Sequence, residues 1–133
     1  TQGVSSAASD VYKRQADSGA DALIVSNHGG RQLDGAPSSI SALPGIVEAA
    51  GRDIEVWMDG GVRSGQDVLK ARALGARGTL IGRAFLYGLG AAGEAGVTRA
   101  LQIIHKELDV SMAFCGRTRI DDVGSDILLP GSF

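Results

Sequence analysis

The sequence predicts an α/β fold, the C-terminal half of a (β/α)8 TIM barrel made of about three βα units and C-terminal helices, and three observations predict it. Short apolar runs rich in Val, Ile or Leu and bounded by turn residues fall at residues 22–26, 55–59 and 78–82, and they read as buried strands. Stretches with helical spacing lie between them, so the order is strand, helix, strand, helix, strand. Continuous apolar strands alternating with helices imply parallel pairing and right-handed crossovers, which narrows the fold to a doubly wound sheet or a barrel. A whole barrel needs about 250 residues. The 133 residues here, with three strands, supply about half of one.

The elements follow in order. Residues 1–15 are small and polar, with no apolar strand leading into a βα turn. They read as a non-native leader, such as a cloning scar, or as a native but poorly ordered terminus, ahead of a domain over residues 16–133. The first helix carries Leu43, Ile46, Val47 and Ala50 on one face, takes Ser39 or Ser41 as its cap, holds Pro44 in its opening turn and stops at Gly51. The second carries Val68, Leu69, Ala71 and Leu74; Ser64 caps it, Asp67 completes a capping box, and Gly75 marks its end. A short helix from Ala84 and a longer one with Val97, Leu101, Ile104 and Leu108 on one face follow the third strand. From Cys115 onward the chain is polar and irregular.

Composition excludes several classes of function. A net charge of −2 with scattered Lys and Arg offers no basic face to nucleic acid. One cysteine, Cys115, makes neither an internal disulfide nor a metal site, which fits a reducing, cytoplasmic setting. No apolar stretch approaches the roughly 20 residues needed to cross a bilayer. The 20 glycines sit mainly where apolar runs end, marking turns and close approaches rather than low complexity.

The first strand runs into Ser26-Asn27-His28-Gly29-Gly30-Arg31, placing His28 and Arg31 at the C-terminal end of a parallel strand, where α/β enzymes put catalytic groups. Histidine exchanges protons near neutrality, and an arginine fork holds a carboxylate by two parallel hydrogen bonds. Together they suit an acid substrate. The competing reading is a capping histidine and a surface ion pair from Arg31 to Asp34. A Ser26–His28 nucleophile pair is possible but disfavoured. Asp34 reads as a loop anchor.

The second strand ends in Asp59-Gly60-Gly61-Val62-Arg63 directly before a capped helix, which offers backbone N–H groups, a positive helix end and an arginine to an anion. Gly82-Arg83 ends the third strand in the same way. In (β/α)8 barrels the loops after the last two strands commonly form a phosphate site, so the two glycine-arginine turns read as converging on one phosphate. Surface salt bridges are the alternative for each arginine. Asp59 reads as structural or as a partner for a ligand's hydroxyls. His105 lies with Lys106 and Glu107 on a solvated helix face, Cys115 reads as a buried small apolar residue, and Trp57 and Met58 read as core. No metal site is expected.

Taken together, Ser26 through Asp34, Asp59 to Arg63 and Gly82-Arg83, in this order and spacing, resemble the FMN-dependent 2-hydroxy-acid dehydrogenases and oxidases, over residues 20–129. The resemblance implies that His28 is the base taking a proton from a small 2-hydroxy-acid substrate and that Arg31 binds its carboxylate. It also implies that Ser26 touches the flavin, while Asp59, Gly60, Gly61, Val62, Arg63, Gly82 and Arg83 hold the ribityl chain and phosphate of FMN. The electron acceptor is left open, and the full-length parent is expected to be a homo-oligomer, cytoplasmic or membrane-associated. The sequence departs from the family pattern where a flavin-contacting lysine is expected, since Val4 stands there. Tyrosines, an aspartate partner for the histidine and much of the flavin pocket would belong to a first half, so the chain alone is expected to bind FMN weakly and not to turn over. Other readings are a different FMN barrel, such as a type 2 isopentenyl diphosphate isomerase, and a non-catalytic phosphate-binding half-barrel.

Overall fold

Three parallel strands, β1 (Ala22–Val25), β2 (Glu55–Met58) and β3 (Gly78–Thr79), form one sheet in that order in a computed structural model that describes residues 6–131. Between them run α2 (Ser39–Ala50) and α3 (Gly65–Ala73), giving the alternation that the apolar pattern predicts. Leu23 and Val25 pair in register with Val56 and Met58, so these side chains share one face of the sheet. Leu43 and Ile46 of α2 and Ala71 of α3 close over that face, and with Val25, Val56, Met58 and Val62 they make the main core. Each large aliphatic side chain buried there contributes about 1.5–3 kcal/mol.

The opposite face differs. Ile24 pairs in register with Trp57, and Trp57 with Gly78. The indole lies over Gly78, where an added Cβ would come within 2.5 Å of the ring. Trp57 is therefore half-buried on this second face, with its Nε1 donating to Glu55 Oε2 at 3.0 Å, and only Met58 belongs to the core as expected for both. Ile24 is 53% exposed and Leu80 40%, so this face lies open.

Helix α1 (Ser6–Asp17) occupies most of the stretch expected to be a leader or a poorly ordered terminus. Tyr12 packs against the main core beside α2, a single aromatic anchor in an otherwise polar helix, which is why no apolar period marks it in the sequence. Val4 lies outside the described residues.

Helix α2 is capped one residue earlier than expected, by Ser38, whose Oγ accepts from Ser41 N at 3.3 Å. Pro44 is thereby past the first turn, and the carbonyl of Ile40 loses its usual partner. Helix α3 has the predicted ends. Ser64 and Asp67 form the capping box, and Gly75 (φ 102°) lets Ala76 N reach Ala71 O and Gly75 N reach Arg72 O, a Schellman closure.

Helix α4 (Arg83–Phe114) is broken at Ala92 and Gly93, so it is two helices joined by a tight bend, as the sequence suggests, starting one residue earlier than predicted. The halves cross where Gly88 and Gly96 touch backbone to backbone. Leu108 and Met112 of the second half pack with Leu69, Ala73 and Val123 in a second core cluster. Cys115, expected to be buried, is exposed, because it follows the last turn of α4 with no element above it. Among the described residues no helix is long and apolar enough to cross a membrane.

Candidate active site

Side chains of Ser26 and Asn27 fold the loop that leaves β1. Ser26 Oγ accepts from His28 N at 3.1 Å, and Asn27 Oδ1 accepts from Gly29 N at 3.0 Å. Asn27 Nδ2 donates across the loop to Pro37 O at 3.2 Å, tying its two ends together. Within this frame His28, Gly29 and Gly30 take φ of 55°, 67° and 72°, three successive left-handed residues. Glycine adopts that region freely, whereas for histidine it costs about 1–3 kcal/mol, a strain that recurs at functional sites. The Ser26 and Asn27 bonds hold the chain there.

The turn opens onto a cleft of about 580 Å³ at the C-terminal ends of the strands. His28, Gly29 and Arg31 line it from the first loop, Asp59, Gly60, Gly61, Val62 and Arg63 from the second, and Gly82, Arg83 and Leu86 from the third. The cleft thus gathers every sequence-predicted site residue except Ser26, which sits beneath the turn as the acceptor for His28 N. Among the described residues Arg31, Arg63 and Arg83 make no ion pair, as is also true of Arg14, Arg52 and Arg99 outside the cleft, whereas Arg72, Arg77, Arg117 and Arg119 do. The salt-bridge alternative thus finds no partner for the three cleft arginines among the described residues. Asp34 accepts from its neighbour Gly35 N at 3.1 Å, as a loop anchor should, and does not pair with Arg31.

One expectation needs correcting. The α3 N-terminus does not offer its amides to an anion, because two carboxylates already hold them. Asp67 Oδ2 accepts from Arg63 N and Ser64 N, both at 3.0 Å, and Glu107 Oε2 accepts from Gly65 N at 2.9 Å. The N-terminus of α4 is different: among the described residues no side chain caps it at Gly82, and both Gly82 and Arg83 line the cleft.

Sequence reasoning missed two residues here. Asn27 could have been found, since an asparagine before paired glycines is a recognised turn former. Glu107 acts 42 residues away from Gly65, and no local pattern announces it.

In the second loop, Asp59 Oδ1 is buried without a hydrogen-bond partner among the described residues, an acceptor awaiting a donor. Gly60 (φ 87°) passes so close to α2 that a Cβ would stand 2.9 Å from Ser39 Oγ, whereas Gly61 and Gly82 have open space beside them on the cleft wall.

The family model for FMN-dependent dehydrogenase matches residues 3–130. The chain belongs to the FMN-dependent dehydrogenase family. Within it, the chain is 56% identical over 116 residues to an L-lactate dehydrogenase of Caulobacter vibrioides, covering 87% of this chain and 30% of that protein. It is 51% identical over 125 residues to the pre-mycofactocin synthase of Mycolicibacterium smegmatis, covering 93% of this chain and 31% of that one. Its fold superposes on an oxidised active mutant of (S)-mandelate dehydrogenase with a TM-score of 0.85 at 42% identity, over 90% of this chain and 33% of the other. A mandelate oxidase variant with a monooxide FMN adduct gives 0.81 at 46%, over 84% and 36%. The chain thus spans about a third of the length of these relatives.

Proposed function

We propose that this chain is the C-terminal half of a (β/α)8 barrel in a larger FMN-dependent enzyme that oxidises an L-2-hydroxy acid, lactate-like in size, to the 2-oxo acid. The observation that carries this reading is the cleft itself, in which a histidine and three arginines without ion-pair partners share the strand ends of a chain of this family. The residues also fit FMN. The unpartnered Asp59 Oδ1 suits a ribityl hydroxyl, Gly60, Gly61 and Val62 form the wall beside it, and Arg63, Gly82 and Arg83 suit a phosphate.

Arg31 holds the substrate carboxylate through paired N–H donors, which fixes the carbon bearing the hydroxyl relative to His28. His28 takes the proton that the substrate loses as its C–O single bond becomes a carbonyl. Bound FMN supplies the two-electron acceptor for that oxidation. Ser26 serves His28 from below, through the N–H bond that keeps the turn in place. The rest of the barrel, the electron acceptor and the assembly into a homo-oligomer lie with the larger protein.

His28→Gln in the full-length protein tests the reading. The variant should keep its flavin, while reduction of that flavin by substrate, followed by stopped-flow absorbance, should slow by about 10²–10⁴-fold. Bleaching at the normal rate would refute the assignment of His28. A second reading rests on the 51% identity with pre-mycofactocin synthase. Formation of pre-mycofactocin, with no turnover of lactate, mandelate or glycolate, would select it.

A further inference from the structure

We infer that Glu107 is a positioning residue that sets the Arg63 turn against the Arg83 turn, and so determines the selectivity of the site for a phosphorylated flavin. The inference rests on the reading that these two arginines hold the FMN phosphate, and it starts from the one bond that joins their elements at this point. Arg83 opens α4, and Arg63 stands two residues before α3. Nothing in the loops themselves fixes the distance between them. Glu107, on the second half of α4, accepts from Gly65 N, the first residue of α3, at 2.9 Å.

Contact at that point is as close as backbones allow. Gly65 is buried, and a Cβ there would fall within 2.5 Å of Ile104 O and of the Glu107 carbonyl carbon, and would collide with Leu108 N. The carboxylate therefore reaches Gly65 N from a helix pressed directly against it, and Asp67 takes the two preceding amides, Arg63 N and Ser64 N. Three successive N–H groups at the exit of the phosphate turn are fixed by two carboxylates, one local and one from α4. A mechanical path results: Arg63 through Gly65 to Glu107, along the second half of α4, across the Gly88–Gly96 contact and back to Arg83. Without the Glu107 bond, α3 keeps its own capping box while its register on α4 loosens, and with it the spacing of the two guanidinium groups.

The discriminating measurement is the ratio of affinities for FMN and riboflavin, which differ only in the phosphate. In the full-length apoprotein, flavin fluorescence quenching should show a preference for FMN. Glu107→Ala should weaken FMN binding by about tenfold, equivalent to about 1.4 kcal/mol, with riboflavin binding changed less than twofold. Glu107→Gln keeps an oxygen acceptor for Gly65 N and should restore most of the preference. Equal losses for both flavins, or a wild-type FMN preference surviving in Glu107→Ala, would overturn the inference while leaving the phosphate reading intact. A wild-type protein binding the two flavins equally would overturn both.

Discussion

Charge at the cleft depends on individual side chains whose neighbours leave them unneutralised. Arg72 and Arg77 lie within 3.7 Å and 3.5 Å of Asp121, but Arg31, Arg63 and Arg83 have no such carboxylate among the described residues. An anion entering the cleft therefore meets guanidinium donors that no described carboxylate has paired with. Backbone geometry makes equally local demands. Gly60→Ala places a Cβ at φ 87° and 2.9 Å from Ser39 Oγ, so it should destabilise the fold by about 1–3 kcal/mol. An unchanged urea midpoint would contradict this. Ser26→Ala removes the acceptor for His28 N, and we expect slower flavin reduction in the full-length protein with flavin retained; loss of flavin instead would show that Ser26 contacts the cofactor. His28, Arg31, Arg63 and Arg83 were legible in the sequence because each stands beside glycines at the end of an apolar run. Glu107 was not, because its partner Gly65 is 42 residues away.

Helix ends show how far local chemistry reaches. Ser64, Asp67 and Gly75 specify α3 with side chains and a positive φ, and the structure agrees at both ends. At α2, three serines compete for the cap, and Ser38 takes it because its extended backbone (φ −67°, ψ 147°) directs Oγ back to Ser41 N. Ser64→Ala should cost about 1 kcal/mol, read as a lowered thermal midpoint. Gly65→Ala is a harsher change, because its methyl group would strike the α4 backbone. We expect a loss of at least about 1–3 kcal/mol, and a helix content by circular dichroism that melts earlier than in Ser64→Ala; the reverse order would mean that α3 and α4 are not in contact as described. The extent of α1 was hidden for the opposite reason. Only Tyr12 of its visible side chains packs on the core, and one anchor makes no period.

At the scale of the molecule, the strand–helix alternation and the parallel sheet were legible, since both follow from apolar runs and their punctuation. The openness of the sheet's second face was not, because an apolar residue such as Ile24 reads the same in a sequence whether or not anything covers it. Ile24 and Leu80 are exposed there, and β1 and β3 are the edges of the described sheet. Unpaired edges and apolar faces promote association. We therefore expect the 133-residue chain alone to self-associate with concentration in analytical ultracentrifugation and to bind a hydrophobic dye, with FMN affinity at least tenfold below that of the full-length protein. A monodisperse chain that binds FMN tightly and oxidises lactate would show that these residues suffice.

The crossing of Gly88 over Gly96 also constrains how this sequence can diverge. A side chain at either position meets the other's backbone, and neither neighbour can shrink to make room, since both are already the smallest residue. Any side chain at either position requires the crossing itself to shift. Change at these two sites is therefore tied to the angle at which α4 presents Arg83, a constraint that the surrounding surface does not share.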